Sequence, residues 1–194
     1  MLRKSVHLSV LGFPIAYHFL KIELRLIQFF LFFLVISFLF SELYRLKFNE
    51  NFFVNKITRQ SEKSEVANYL FTMTIWLLIT LGANGYDFVL AELAIISTHL
   101  GDAAAAVGGK GFGKHKLMFT ENKTWEGLIT GIAVAILSGI LLLGSLGYWT
   151  TLWWAIIPGI VLGFLDLFED LPNWMADNMF NPTISLALLI FLVG

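Results

Sequence analysis

Five apolar runs, each close to the ~20 residues a helix needs to cross a bilayer, decide most of what this chain can become. They are Leu24 to Leu43, Val66 to Gly82, Phe88 to Val107, Gly127 to Leu146 and Leu152 to Phe168, each nearly free of charge across its middle. A soluble domain of 194 residues could not hide that much apolar surface: the chain is 57% hydrophobic and 14% charged, with a mean hydropathy of +0.75. In lipid the backbone must satisfy its own polar groups, so each run is expected to be helical. Two weaker segments flank them. Val6 to Leu20 carries His7, Pro14 and His18, and Pro182 to Val193 is short. The expectation is an all-α polytopic integral membrane protein with about six or seven transmembrane helices, forming one membrane-embedded domain over residues 1–194. Cys is absent, which excludes disulfides, thiolate metal sites and a Cys nucleophile.

If all these segments cross, Arg3, Lys4, Arg45, Lys47, Lys56, Arg59, Lys63, Lys110, Lys114, Lys116 and Lys123 share one side, leaving Lys21 and Arg25 opposite. Basic residues accumulate on the cytoplasmic side, so the chemistry-bearing loops are expected to face the cytoplasm. The opposite connections, Asn84 to Asp87 and Gly147 to Thr151, are little more than turns.

The stretch from Gly101 to Lys116 is the richest in chemistry. Asp102 lies within a membrane segment, where an acid is costly unless paired or bound to a cation. Ala103 to Ala106 allow a neighbouring backbone to come close. Gly108, Gly109, Gly111 and Gly113 then suggest a cytoplasmic loop whose N–H groups meet phosphate oxygens, with Lys110, Lys114, Lys116 and Lys123 adding positive charge. A solvated turn obeying the orientation rule is the plainer reading of such a loop, and Asp102 tips the balance against it. Gly108 to Lys114 has P-loop spacing, but His115 stands where a Ser or Thr must hold Mg2+, and a helix precedes it rather than a strand, which excludes that motif. Asn122-Lys-Thr matches a glycosylation acceptor by chance, since it falls on the cytoplasmic side.

A second group comprises Asp166, Glu169, Asp170, Asp177 and Asn178, set where the penultimate span reaches the same face. It could hold a second Mg2+ or a ribose, or simply cap the interface, the better reading for Glu169 and Asp170. Asp177-Asn178 precedes Asn181-Pro182, where the proline is expected to open the last span. Lys4 and His7 share a face at i,i+3, and Glu42 and Arg45 are spaced to pair. Glu92 and His99 lie in the span of Asp102, seven residues apart and so roughly on one face; Glu92 is deeper than a cytosolic phosphate should reach, and helix pairing is its expected role. His18 and the Phe-rich face from Phe29 to Phe40 are expected to be lipid or core contacts.

In order along the chain, Arg3-Lys4 with His7, Glu42 with Arg45, Arg59 with Glu62, Gly101-Asp102-Ala103, Phe112-Gly113-Lys114, Lys123 with Glu126-Gly127, and Asp177-Asn178 resemble the polyprenol kinase family. That family includes dolichol kinase, phytol kinase and CTP-dependent diacylglycerol kinase and is related to phosphatidate cytidylyltransferases. The resemblance implies a membrane enzyme with CTP as phosphoryl donor and an isoprenoid or glycerolipid alcohol as acceptor. Asn178-Met-Phe-Asn-Pro departs from the family's Asn-Leu-Thr-hydrophobic-Pro pattern, and the chain lacks the extra spans of the larger dolichol kinases.

The expected mechanism binds Mg2+-CTP with its phosphates over Gly108 to Lys116, flanked by Lys4, His7 and Asn178. Lys123 neutralises developing charge, Asp102 and Asp177 are metal ligands, and Glu126 or one of those aspartates takes the alcohol's proton. Cytidylyl transfer to a lipid phosphate is the nearest alternative, and a transporter for an anionic solute the alternative of another class. Membrane lipids are the expected partners, nucleic acid is not, and association with further copies of the chain stays open.

Overall fold

The computed structural model describes residues 12–48, 85–118, 120, 123–167 and 177–193. These group into two compact units; the last helix belongs to the first unit up to Met179 and to the second from Phe180.

In the first unit, α1 (Gly12–His18) turns into α2 (Leu24–Phe48). Lys21 makes the turn with φ of 55°, and the Ile22 N–H reaches back to the Ala16 carbonyl at 3.0 Å. Ile27 and Leu31 form a small core with Ala16, Tyr17 and Ile22 against them. Phe29, Phe30, Phe32, Phe33 and Phe40 are all exposed on α2. Such a surface would be a large apolar patch in water and is the ordinary outer face of a helix in lipid. The segment Val66 to Gly82 lies outside the described residues.

The second unit is built on α3 (Gly85–Phe112), α4 (Trp125–Ser145), a 3-10 stretch (Trp149–Ala155) and α5 (Ile156–Asp166). Phe88–Phe112, Trp125–Ser145 and Trp149–Asp166 are each long and apolar enough to cross a membrane. At 1.5 Å per residue, α4 spans about 30 Å, the hydrocarbon thickness of a bilayer. Half-exposed Trp125 at one end of α4, and Trp149 and Trp153 beyond the other, stand where interfacial aromatics stand. The protein is an all-α polytopic membrane protein. Leu90, Leu93, Leu143, Leu162 and Leu189 form the fully buried core, while Ile129, Leu137, Leu141, Ile160 and Phe164 face outward.

α3, α4 and α5 pack on one another through small residues. A Cβ on Gly131 would stand 2.8 Å from the Ala105 Cβ and 3.1 Å from the Gly101 carbonyl oxygen; one on Gly127 would stand 2.9 Å from the Ala105 carbonyl oxygen. A Cβ on Gly101 would meet Leu162 of α5 as well as Ala135 of α4. The backbones of α3 and α4 therefore touch directly along one seam.

Three boundaries differ from the sequence expectation. α3 continues through Gly108, Gly109, Lys110 and Gly111 to Phe112, where a loop is expected. Gly108 lies against Thr130, and Gly109 against Thr124 and Gly127. Contact with α4 offsets the ~1 kcal/mol that a glycine costs a helix. The expected span Leu152 to Phe168 is split, with Leu152 to Ala155 in the 3-10 stretch and the α-helix proper beginning at Ile156. Pro158 has no N–H for the Trp154 carbonyl, which breaks the i→i−4 ladder there. The last helix, α6 (Asp177–Val193), begins five residues ahead of Pro182 and carries the proline within it. In that early turn the proline forgoes only the bond to the Asn178 carbonyl.

α4 ends in a Schellman turn: Gly147 has φ of 84°, its N–H reaches the Gly144 carbonyl at 3.1 Å, and the Tyr148 N–H reaches the Leu143 carbonyl at 2.8 Å. Nothing lies within 4 Å of a Cβ at Gly147, so its requirement is purely conformational. Gly147→Ala is expected to lower stability by about 1 kcal/mol in thermal melts, and Gly147→Asn by less, because Asn tolerates this region. Equal melting temperatures for all three proteins would refute this.

Candidate functional site

Between α3 and α4 the chain makes a tight hairpin-like return rather than an open loop. The Gly113 N–H closes on the Gly109 carbonyl at 3.1 Å, the Leu117 N–H on the Lys123 carbonyl at 3.0 Å, and the Trp125 N–H on the His115 carbonyl at 2.9 Å. Lys116 and Thr124 form an antiparallel bridge. Thr124 then caps α4, its hydroxyl accepting from the Gly127 N–H at 3.2 Å.

Glu126, in the first turn of α4, holds the base of this return at His115. Its carboxylate accepts from the His115 N–H at 3.2 and 3.3 Å and from the His115 ring Nδ1–H at 2.6 Å. An acid in the first helical turn also complements the helix dipole. The carboxylate of Glu126 thus already acts as a clasp on the return. The His115 ring is largely exposed.

Lys123 reaches across to α5. Its ammonium lies 3.1 Å from Asp166 Oδ1, with 28% of the lysine side chain and 14% of the aspartate exposed. Sequence reasoning sets Asp166 in an acidic group with a metal or ribose in view; the structure brings it to the lysine instead. Asp102 is half-buried on α3, next to Gly101 at the level of Leu162, one helical turn short of Asp166 on α5. Asp102, Lys123, Glu126 and Asp166 therefore share one end of the three-helix group, together with exposed Lys110, Lys114 and Lys116.

The backbone cradle expected from Gly108 to Gly111 is not formed by that stretch. In a helix these N–H groups point back to carbonyls four residues earlier, and the helix end presents carbonyl oxygens, which favour cations over anions. Positive charge at this end comes from side chains. Glu92 and His99 are buried farther along α3, with the His99 Nδ1–H on the Ile95 carbonyl at 3.0 Å. Lys4, His7, Arg59, Glu62, Glu169 and Asp170 lie outside the described residues. For Asp177 and Asn178 the backbone is described, and it opens α6. Thr124 and His115 are the residues that the reading of the sequence missed as site-builders. A Thr before Trp-Glu-Gly at a helix start is a readable capping signal, whereas nothing local marks His115.

Asp102 is a hard oxygen donor of the kind Mg2+ takes. Mg2+ is ordinarily held by one or two carboxylates, with substrate phosphates and water completing its shell, so the residues at this end suit such an ion arriving with a nucleotide.

Apolar spanning helices with an acid, a lysine–aspartate pair and a basic return gathered at one end define a polytopic membrane protein with a polar site at its helix ends. Residues 3–175 match the model of the cytidylyltransferase family, and the chain belongs to that family. It is a family of enzymes, which removes the transporter alternative. No curated protein and no solved structure matches the chain.

Proposed function

We propose that the protein transfers a phosphorus-bearing group from CTP to a lipid of its own membrane, at the end of α3, α4 and α5 where Asp102 and Lys123 lie. The family match over residues 3–175 is the observation that carries this reading. The positive-inside argument supports a cytoplasmic site, the compartment that holds nucleotides.

The first form of the reaction is phosphoryl transfer to a lipid alcohol, supported by the ordered motifs that end in Asp177-Asn178. The alcohol oxygen attacks the γ-phosphorus, the bond from that phosphorus to the β,γ-bridging oxygen breaks, and CDP leaves. Lys123 and the side chains of Lys110, Lys114 and Lys116 neutralise the polyphosphate. Asp102, with Asp177, would hold Mg2+, which when bound shields phosphate charge. Because Glu126 is engaged with His115, the alcohol's proton passes to an aspartate in this proposal. Lys4, His7 and Asn178 are proposed to contact the nucleotide.

The second form is cytidylyl transfer, favoured by the family's own description. Here a lipid phosphate attacks the α-phosphorus and pyrophosphate leaves. Purified protein is to be given Mg2+ with CTP labelled at either the γ or the α phosphate, and a panel of polyprenols, phytol, diacylglycerol and phosphatidate. Lipid labelled only from the γ position is expected for a kinase. Lipid labelled from the α position, with pyrophosphate released, identifies a cytidylyltransferase, and no labelled lipid from either overturns the proposal.

A further inference from the structure

We infer that Asp166 is a positioning residue for Lys123, holding its ammonium where a nucleotide phosphate binds. The inference rests on the CTP reading above and gives a role to a residue which that reading leaves without one.

Lys123 is fixed at its backbone, and its tip is carried on a flexible stem. Its carbonyl accepts the Leu117 N–H at 3.0 Å, and its neighbour Thr124 is both bridged to Lys116 and capping α4. The side chain has four rotatable bonds and samples many rotamers when unconstrained. At the other end stands Asp166, the last residue of α5, only 14% exposed and 3.1 Å from the ammonium. Lys110, Lys114 and Lys116 are exposed and sweep solvent; Lys123 is held against a helix.

An ammonium has three N–H donors. Asp166 takes one, leaving two for phosphate oxygens in a set direction. The charge at this point is also tempered, because the carboxylate offsets the lysine until a polyanion arrives. A tie between return and helix alone would change stability and nothing more. Positioning predicts an effect on one substrate and not on the other.

The test uses the full chain in lipid nanodiscs with Mg2+-CTP as the probe, comparing wild type, Asp166→Asn, Lys123→Ala, the double variant, and the charge swap Lys123→Asp with Asp166→Lys. Asp166→Asn is expected to raise KM for CTP by about tenfold, the size of a lost hydrogen bond to a charged group, with KM for the lipid unchanged. In the Lys123→Ala background, Asp166→Asn should add nothing further. The swap should restore the melting temperature without restoring CTP affinity, since the cation then sits on α5. A swap that restores CTP affinity, or an Asp166→Asn variant with unchanged KM for CTP, overturns the inference alone. A wild type that neither binds nor consumes CTP overturns the CTP reading, and the inference with it.

Discussion

Asp102→Asn is expected to lower turnover by roughly 100- to 1,000-fold, the range seen when one preorganised electrostatic group is removed from an active site, with the melting temperature unchanged. The substitution keeps the size and polarity of the side chain but removes its charge and turns one carboxylate oxygen into an amide NH2. Asn keeps hydrogen-bonding capacity at this position, and a charge on a membrane helix is costly to maintain, so the fold should survive the change. It should remove an oxygen donor for Mg2+ at the end where Lys123 and the basic return lie. The measurement is lipid labelling from CTP across a Mg2+ titration, beside a thermal melt in the same detergent. Wild-type turnover in Asp102→Asn would take Asp102 out of the mechanism.

Gly131→Leu should instead destroy the fold. The Gly131 position faces the Ala105 Cβ at 2.8 Å and the Gly101 carbonyl oxygen at 3.1 Å, and neither is the tip of a flexible side chain that can swing away. Overpacking usually costs about 1–3 kcal/mol, and here the added side chain can be housed only by parting α3 from α4. Parting them would separate Asp102 from Lys123 as well. Most of the variant should therefore elute as aggregate in size-exclusion chromatography, and the remainder should be inactive. Leu137→Ala, on an outward-facing position that is 57% exposed, should behave as wild type, because lipid tails are as apolar as the leucine they replace. A monodisperse Gly131→Leu protein with normal melting would refute the close seam.

Both outcomes depend on one pattern of small residues that the sequence carries openly. Gly101, Ala105 and Gly109 recur every fourth residue on α3, as Gly127, Gly131, Ala135 and Gly139 do on α4, which is the spacing of a close helix–helix contact. Glycines 108 and 109 read as loop because glycine before lysines usually ends a helix. Their partners, Thr130, Thr124 and Gly127, lie on the next helix, and only packing against it reveals why glycine is tolerated there. Pro182 misleads in the same way: a proline in an early turn looks like a helix start, yet α6 already runs from Asp177.

The amino-acid sequence by itself determined the solvent, the helical class, the apolar spans that fall on described residues, and the gathering of lysines beside Asp102. These follow from transfer free energies and from the length of a helix that must satisfy its own backbone in lipid, both local properties of the chain. The partnerships were decided only by tertiary structure. Lys123 meets Asp166, and Glu126 meets His115, because the direct contact of α3 with α4 and α5 sets which helix ends converge. Charge–charge choice among several lysines and acids depends on distance, which sequence spacing does not encode once the chain turns back on itself.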